Sequence, residues 1–586
     1  MDQRNLIIAI AISIVILIGF QYFGERFYPA PAPTQPAKTA PAANAPTVAP
    51  GAPTAVPSTS AAAAKTISRA QALAEAPRVT IDTPRITGSI NLLGARFDDL
   101  TLRTYHETID LKSPEVVLLA PDGTEHPYFV QSGWIATNPD VKVPGPDTRW
   151  TASPGPLTPS HPIDLTWDNG AGLKFTQHIA VDENYIFTVT DSVTNSGAAP
   201  VTLYPYARVR RSGEVPKSSV YSHVGPIAVL NGILYDGGVC IFGHILCDSY
   251  NYDDVKKAPV TGASTGGWIG FTDLYWLAAL VPPQRDAVKT RFEYTHTDGI
   301  DSYQADYVGT EQVVKPDGSV AYSNRVFAGA KVVALLDRYE QTLGIPRFDH
   351  AIDFGLFYFI TKPIFLALDF FNEWLGNFGL AILLLTLLIK LVFFPLANKS
   401  YRAMSKMKKL QPEMQKLREQ YGDDKQKLNQ EMMALYKRVG ANPMAGCLPI
   451  VIQIPVFFAL YKVLYVTIEM RHAPFYGWIH DLSAPDPTSY VNLFGLLPFT
   501  PPHIAAVHAF LHIGAWPLIM GLTMFLQQKL NPQPPDPVQA KMFMILPVVF
   551  TFMLAQFPAG LVIYWSWNNL LSIAQQWAIM RRSGAA

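Results

Sequence analysis

Lys390 is the one cation inside an otherwise apolar stretch, FGLAILLLTLLIKLVFFPL, which runs from Phe378 to Leu396. A stretch of this length spans the hydrocarbon core of a bilayer as a helix. A lysine at such a depth costs about 2.5–3.5 kcal/mol on insertion scales. Water, a polar partner or an anionic ligand should offset that cost, so the residue indicates a site that binds water or an acidic group.

Other polar residues lie at a similar depth in neighbouring apolar stretches. Thr386 precedes Lys390 by one helical turn on the same face, and Gln453 lies six residues inside the stretch 447–466. The last apolar stretch carries polar residues at helical spacing along one face: Trp565, Asn568, Asn569, Ser572, Gln575 and Gln576. Because hydrocarbon tolerates few amides, we predict a wet, positively charged cavity in the inner half of the membrane.

Two other interpretations of these residues stay open. The long stem of Lys390 could carry its amine to the cytosolic interface. The polar stripe could make hydrogen bonds between packed helices without enclosing a cavity.

The composition indicates a chain that is partly soluble and partly embedded in a membrane. Hydrophobic residues make up 49% of the 586 residues and charged residues only 16%. Lys and Arg number 46 and so do Asp and Glu, so no global field favours nucleic acid. Three cysteines make no disulfide framework, although Cys240 and Cys247 could pair in an oxidising compartment.

The changes in composition along the chain predict its domains. We expect a mixed fold, a polytopic α-helical membrane bundle of six spans plus a large antiparallel β-sandwich domain. The divisions are an N-terminal membrane anchor at 1–28, a Pro/Ala-rich linker at 29–76, the β domain at 77–340, an interfacial amphipathic helix at 346–376, the span with Lys390 at 377–396, a helical hairpin at 397–446, and four further spans with loops at 447–580.

Loop charge predicts the orientation. Residues 397–446 carry eleven Lys and Arg against five Asp and Glu, whereas 467–511 contain only Arg471 as a basic residue. The positive-inside rule therefore places the hairpin in the cytosol. Parity then places both termini in the cytosol and the β domain outside.

Enzyme motifs are weak. No HExxH, GxxxxGK[ST] or GxGxxG pattern is present, and we expect no cofactor and no metal site. Gly262–Gly266, GASTG, matches a serine-nucleophile pattern, but its flanks lack the required strand and helix, so we interpret it as a loop.

Several strings carry a family resemblance. The stretch 442–461, NPMAGCLPIVIQIPVFFALY, resembles a signature of the YidC family of membrane protein insertases, and WIHDLS at 478–483 and FPAGLV at 557–562 match as well. The resemblance implies that the β domain is a periplasmic β-supersandwich in a bacterial inner-membrane protein. It implies a non-enzymatic protein that inserts and folds nascent membrane proteins, alone or with the Sec translocon.

The resemblance also implies roles for single residues. Lys390 stands where the family usually has the arginine of a hydrophilic groove open to cytosol and lipid, and Thr386 matches the threonine one turn earlier. Tyr564 and Trp565 match a tyrosine pair that contacts substrate in some relatives. A ribosome or targeting receptor would bind through the hairpin, and lipids would surround the helices, with no direct nucleic-acid contact.

Two functions from other classes remain alternatives. A small-solute transporter with a cationic midplane site should show inverted repeats, and the spans show no obvious repeat. An anchored sugar-active enzyme should carry a pair of carboxylates in the β domain, and no convincing pair stands out.

Overall fold

The computed structural model describes residues 67–216, 222–236, 250–355, 357–422, 424–440, 448–497, 511–531 and 537–582. The predicted anchor at 1–28 and most of the linker at 29–76 lie outside these residues. Cys240, Cys247 and Cys447 lie outside them too, and with them the Cys240–Cys247 pairing that the sequence left open.

Within the described residues, nineteen strands form two antiparallel sheets. In chain order they are β1 Arg78–Asp82, β2 Ile86–Asn91, β3 Arg96–His106, β4 Glu115–Leu119, β5 Tyr128–Ala136, β6 Thr151–Ala152, β7 Ile163–Asp168, β8 Leu173–Val181, β9 Ile186–Asn195, β10 Val201–Ser212, β11 Gly225–Leu230, β12 Ile233–Tyr235, β13 Val260–Thr265, β14 Trp268–Thr272, β15 Trp276–Val281, β16 Ala287–Thr297, β17 Ile300–Val308, β18 Gln312–Val314 and β19 Gly318–Ala330.

The two sheets share one hydrophobic core. The ten-stranded sheet has the order β1-β2-β3-β5-β10-β17-β16-β13, with β4 beside β3 and β18 beside β10, and the nine-stranded sheet has the order β12-β11-β14-β15-β19-β9-β8-β7-β6. Burial alternates along β8, as expected when one face of a strand is covered. Phe97 of one sheet and Phe187 of the other pack edge to face at 5.3 Å.

The interpretation of Gly262–Gly266 as a loop is wrong. Ser264 and Thr265 lie on β13, which pairs with β16 at the edge of the ten-stranded sheet. The alternation Val260-Thr-Gly-Ala-Ser-Thr265 is compatible with a strand, and two glycines concealed it. The strand β14, and not a helix, follows, so the nucleophile pattern has no elbow.

Helices make up most of the remaining described residues. They are α1 Arg69–Ala74, α2 Tyr252–Lys257, α3 Val333–Leu343, α4 Tyr358–Leu375, α5 Phe378–Val392, α6 Phe394–Tyr421, α7 Lys425–Val439, α8 Leu448–Val466, α9 Ala515–Leu530, α10 Pro537–Leu554 and α11 Ala559–Arg582. The predicted mixed class, a β-rich domain joined to helices, is confirmed.

The helix that carries Lys390 ends earlier than the predicted span. Asn377 caps its start by accepting a 3.1 Å hydrogen bond from the Leu380 N–H, and α5 then runs only to Val392. Pro395 cannot donate a hydrogen bond to the carbonyl one turn back, and it disfavours helical geometry in the residue before it. The chain bends there by 68° and continues as α6.

By length and composition, none of the described helices passes alone as a membrane span, whereas α5 and α6 pass together as a bent pair.

The pair α6 and α7 forms the predicted helical hairpin. Asp424 accepts hydrogen bonds from the backbone N–H groups of Gln426 and Lys427 at 3.1 and 3.0 Å and thereby caps the second helix. The seam between the two helices is apolar and buries Leu410, Met414 and Leu435. Leucine and methionine side chains of the two helices therefore pack against each other within the hairpin.

A polar junction joins the β domain to the helices. Glu469, in a 3₁₀ turn after α8, accepts a 2.9 Å hydrogen bond from the backbone N–H of Val333 at the start of α3. Nearby, Arg471 donates to the carbonyl of His106 at 2.7 Å, and its guanidinium lies 5.5 Å from the ring of Trp276. The loop after α8 is thus fastened to both α3 and β3.

Glu469 makes the stability of this junction depend on pH. Burial raises the pKa of Glu469 to about 7, and the charge of Asp369 adds to the shift. A carboxyl whose pKa is raised on folding contributes stability below its unfolded pKa and loses that contribution as the pH rises through the folded value. We expect Glu469→Gln, which copies the protonated form, to be about as stable as the parent at pH 4, below the unfolded pKa of about 4.3, and more stable at pH 8, by on the order of 3 kcal/mol.

Thermal unfolding of the purified protein at both pH values measures this difference. Glu373→Gln on the exposed face of α4 is the matched control, because it removes the same charge where no burial acts on it. Parallel pH profiles of the parent and Glu469→Gln would show that Glu469 is already neutralised by another group.

Candidate functional site

Lys390 joins two helices that are far apart in sequence. It lies in the last turn of α5, and its Nζ donates a 2.7 Å hydrogen bond to Ser572 Oγ on α11, 182 residues away. Ser572 Oγ donates in turn to the carbonyl of Asn568 at 2.7 Å. Lys390 and Ser572, both expected at one depth, are therefore in direct contact.

A small pocket lies beside this contact. Its volume is about 40 Å³, and its polar lining residues are Lys390, Tyr401, Gln453 and Gln575. The apolar part of the lining comes from Ile389, Phe393, Leu396, Ala397 and Val456. A buried water needs roughly 10–15 Å³ of such volume, so the pocket has room for a few waters and for no larger ligand in this conformation.

The pocket is rich in hydrogen-bond donors. The ammonium of Lys390 has three N–H groups, and Ser572 accepts one of them. Gln575 Nε2 is buried and has no hydrogen-bond partner within the described part of the chain. Donors that lack acceptors favour a water or an anionic group as the occupant.

Part of the polar stripe makes hydrogen bonds between helices. Gln453 Nε2 on α8 donates to the hydroxyl of Tyr564 on α11, whose side chain is buried. Asn569 Nδ2 donates to Thr523 Oγ1 on α9 at 3.3 Å. These contacts match the alternative that the sequence left open, in which polar groups connect packed helices.

Only two of the eight predicted site residues, Lys390 and Gln453, line the pocket; the other six, which do not, are Thr386, Tyr564, Trp565, Asn568, Asn569 and Ser572. Thr386 is buried, and its Oγ1 donates to the carbonyl of Ile382 at 2.6 Å, within its own helix. The ring of Trp565 packs against Phe457 at 4.8 Å. Asn568 is buried on α11, and its Oδ1 has no hydrogen-bond partner among the residues described.

Tyr401 is a lining residue that the sequence did not indicate. It lies on α6, which the prediction assigned to the cytosolic hairpin, and it lines the pocket together with Lys390 of α5, from which α6 is bent by 68°. A second missed contact is the 3.1 Å hydrogen bond from Trp567 Nε1 to the carbonyl of Leu383. An indole N–H in an apolar helix needs an acceptor, and that requirement was a usable signal.

Metal chemistry has no support in the described ranges, since no group of three or more His, Cys, Asp and Glu side chains there could hold an ion.

Two family descriptions match the chain side by side. The family described as "60Kd inner membrane protein" matches residues 370–585, and the one described as "YidC periplasmic domain" matches residues 78–367. The first therefore covers the helices that carry the pocket, and the second covers both sheets and α3.

Relatives that align with the whole length of the chain point to the same family. The membrane protein insertase YidC of Granulibacter bethesdensis is 52% identical over 588 residues, which cover 100% of this chain and 98% of the relative. That of Rhizobium meliloti is 51% identical over 593 residues, covering 100% of this chain and 96% of the relative.

A solved structure of an active YidC insertase with its first transmembrane domain resolved aligns with a TM-score of 0.35 at 18% identity, covering 85% of this chain and 91% of the other. A likeness of that size adds nothing to the sequence matches. Those matches extend over the whole length of the chain at half identity, and the chain belongs to the YidC family of membrane protein insertases.

Proposed function

We propose that this protein inserts and folds nascent inner-membrane proteins through a positively charged hydrophilic groove that opens to the cytosol and to lipid. The observation that carries the proposal is Lys390, a cation on an apolar helix beside a polar pocket. A donor-rich pocket next to that ammonium is suited to hydrated and acidic parts of a client chain.

The proposed mechanism is thermodynamic. The polar flank of a client segment enters from the cytosol and meets water and Lys390 partway across the membrane. An ion pair at 4 Å gains roughly 4 kcal/mol at an effective dielectric of about 20, before desolvation. The flank then crosses a thinner apolar layer, while the apolar segment moves sideways into lipid with a gain of about 25 cal/mol per Å².

Each site residue has a role in this scheme. Lys390 attracts the acidic group, and Ser572 and Gln453 keep the groove polar. Tyr564 and Trp565 contact the client, and Asn568, Asn569 and Thr386 add polar surface when the helices separate. The 40 Å³ pocket is then the closed form of the groove, since an apolar helix could not fit in it.

The proposed topology has six spans with both termini in the cytosol. The basic excess in 397–446 supports a cytosolic hairpin, and the apolar exposed side chains of α4, including Leu366, Phe370 and Trp374, support a helix that lies in the interface. The protein would then reside in a bacterial inner membrane with its β domain in the periplasm.

The proposed partners follow from this placement. Nascent membrane proteins are the clients, and the Sec translocon acts together with this protein on clients with large translocated parts. The basic hairpin would meet a ribosome or a targeting receptor, and lipids would surround the helices.

Cysteine labelling tests whether the groove is open to the cytosol. In a background without Cys240, Cys247 and Cys447, we expect single cysteines at positions 390 and 575 to react with a membrane-impermeant maleimide added from the cytosolic side. A cysteine at Leu383, about 10 Å further along α5, should stay unlabelled. The rate should differ by at least tenfold, because a maleimide needs a hydrated thiolate.

Equal labelling at positions 383 and 390 would mean that water reaches the whole helix, as in a pore. Absence of labelling at both 390 and 575 in inverted vesicles would show that the pocket is sealed from the cytosol, and the groove would have to be abandoned.

A further inference from the structure

A carboxylate is buried between the two sheets of the β domain. Asp191 lies on β9 and is 1% exposed. Val189 and Val193, two positions away on either side, belong to the shared core, so Asp191 points toward the other sheet. Gln177 of β8 and Tyr322 of β19 are its direct partners on the neighbouring strands, and both are buried. The three side chains form one row on the inner face of the nine-stranded sheet.

The ten-stranded sheet presents a matching row. Ser132 of β5, Ala207 of β10 and Tyr307 of β17 are direct partners across these strands, and all three are buried. Gln177 joins the two rows, because its Nε2 donates to the carbonyl of Ser132 at 3.0 Å. Asp191 therefore lies beside a polar contact that connects the sheets.

The oxygens around Asp191 lack donors. Asn324 of β19 donates from its Nδ2 to Asp191 Oδ2 at 3.4 Å. Asp191 Oδ1, Gln177 Oε1 and Asn324 Oδ1 are buried and have no hydrogen-bond partner among the residues described. The hydroxyls of Tyr307 and Tyr322 are buried as well and reach none of these oxygens. Buried acceptors normally have a donor, so this cluster is short of one.

No charged group compensates Asp191 within the described part of the chain. The side chains that stabilise its ionised form are all neutral: Ser132, Gln177 and Asn324. The titratable side chains on which its charge acts are all tyrosines: Tyr206, Tyr307 and Tyr322. Burial raises the pKa of each tyrosine, so the tyrosines stay uncharged. A buried carboxylate without a cationic neighbour is compensated by a bound metal ion or by a proton.

The N–H groups beside the carboxylate favour a proton. The amide of Asn324 directs an N–H at Asp191, and that of Gln177 directs one at Ser132. These N–H dipoles would repel a metal ion, and a hard cation such as Ca²⁺ takes about six to eight oxygen ligands. A proton needs a single acceptor, since the O–H of a protonated Asp191 can donate to the free oxygen of a neighbouring amide.

We propose that Asp191 is a proton-binding site of the β domain, where one proton completes the hydrogen bonding between the two sheets and stabilises their packing as the pH falls. The site is separate from Lys390 and does not depend on the proposed insertion function.

The direction of the pH dependence follows from the burial of Asp191. Burial raises the pKa of Asp191 to about 6, although polar contacts with Ser132, Gln177 and Asn324 oppose part of the shift. The pKa of the same group in the unfolded chain is about 3.9. The proton therefore contributes its full stability below about pH 4, and this contribution is lost as the pH rises from there through the folded value.

An infrared pH titration detects the proton directly. The full-length protein, in a detergent that has no carbonyl groups, is titrated from pH 8 to pH 4 beside Asp191→Asn. We expect the difference between the two sets of spectra to contain the carbonyl stretch of one carboxylic acid, with a midpoint at about pH 6. Glu469 titrates in the same range but is present in both proteins and cancels. A midpoint at about pH 4, that of an ordinary aspartate, would overturn the proposal.

Urea unfolding shows what the proton does to the domain, with hydrogen exchange of peptides from β8 and β9 as the readout. At pH 8 we expect Asp191→Asn, which is neutral at every pH, to lower the equilibrium constant of unfolding by on the order of a hundredfold, because the two pKa values differ by about two units. At pH 4 the variant and the parent should unfold alike. A gain in stability confined to high pH cannot arise from misfolding, and a variant less stable than the parent at pH 8 would contradict the proposal.

Two controls separate the proton from other causes. Asp317→Asn makes the same chemical change at an exposed position just before β19 and should alter neither pH profile. Sodium or calcium at constant ionic strength should not stabilise the parent at pH 8. Stabilisation by either ion that disappears in Asp191→Asn would assign the site to a metal ion and overturn the proton.

Discussion

Lys390→Ala is expected to slow the insertion of membrane proteins with acidic translocated tails by at least tenfold. In the parent, the ammonium can form an ion pair with the tail that is worth roughly 4 kcal/mol before desolvation. If only about 1.4 kcal/mol of this stabilises the rate-limiting step, its loss slows insertion tenfold. The variant also leaves Ser572 without its donor. Initial rates of protease protection for a two-aspartate tail, inserted into proteoliposomes of the purified protein, measure the effect.

Three matched reactions isolate the charge. Lys390→Arg should keep most of the rate, because it keeps the cation and adds donors. Lys529→Ala removes a lysine from the end of α9, where its ammonium lies 4.7 Å from the ring of Phe525 and outside the pocket, and should be silent. A tail with asparagine in place of both aspartates should insert equally with the parent and Lys390→Ala.

If Lys390→Ala inserts the acidic tail at the parental rate, the proposed electrostatic step is wrong. A variant that slows acidic and neutral tails alike would instead assign Lys390 a role in packing α5 against α11.

Two contacts between polar residues of different helices could be anticipated from the sequence, because buried polar groups are costly. Lys390 and Ser572 were placed at one depth by counting residues from the helix ends, and the structure joins them directly. Gln453 and Tyr564 also meet across helices. An amide or an amine in hydrocarbon must find a partner, so its position limits where neighbouring helices can lie.

Sequence reasoning was weaker where one residue changes the path of the backbone. Pro395 ends α5 after Val392, and the bend brings Tyr401 to the pocket. Apolar patterning alone predicted one continuous stretch there, because a proline near the end of a run does not change its hydropathy. Thr386 was expected at the cavity, but in this conformation it does not line the pocket, and its hydroxyl donates within its own helix, an option open to every buried threonine.

The β domain shows a similar division. Its class followed from short alternating strands and frequent turn residues, whereas the strand at Gly262–Gly266 was missed. The pocket that Arg96 and Arg208 line in the β domain could not be foreseen, because these residues come together only through the pairing of β3 and β10 with β5. Long-range register is set by the whole sheet, and local patterns do not contain it.

Lys362→Met is expected to destabilise the protein by on the order of 3–5 kcal/mol, the usual cost of removing one partner from a buried ion pair. Lys362 Nζ donates to Asp337 and Asp349 at 2.8 and 2.6 Å, and the side chain of Asp349 is only 7% exposed. This lysine lies on α4 and both carboxylates lie before it, so the cluster fastens the helix to the β domain. The temperature of thermal unfolding should fall by roughly 2–4 °C for each kcal/mol of lost stability.

The pH dependence distinguishes charge from packing. Burial alone would raise the pKa of Asp349, but hydrogen bonds from His350, Lys362 and Tyr358 outweigh it and hold the pKa well below its usual range. A carboxyl group whose pKa is lowered on folding stabilises the folded state above its unfolded pKa of about 3.9. This contribution is lost as the pH falls below that value toward the pKa of the folded state. The difference in the free energy of unfolding between the parent and Lys362→Met should therefore be largest at pH 7 and should decrease below about pH 4.

Two lysine variants complete this test. Lys362→Arg should recover most of the stability, since it restores a cation beside both carboxylates. Lys399→Met, at an exposed position of α6, should leave the unfolding temperature unchanged, because no described carboxylate pairs with Lys399. If Lys362→Met unfolds at the parental temperature at pH 7, His350 and Tyr358 alone compensate Asp349, and the attachment of α4 to the β domain must then come from apolar packing around Phe354 and Phe365, whose rings lie 6.2 Å apart.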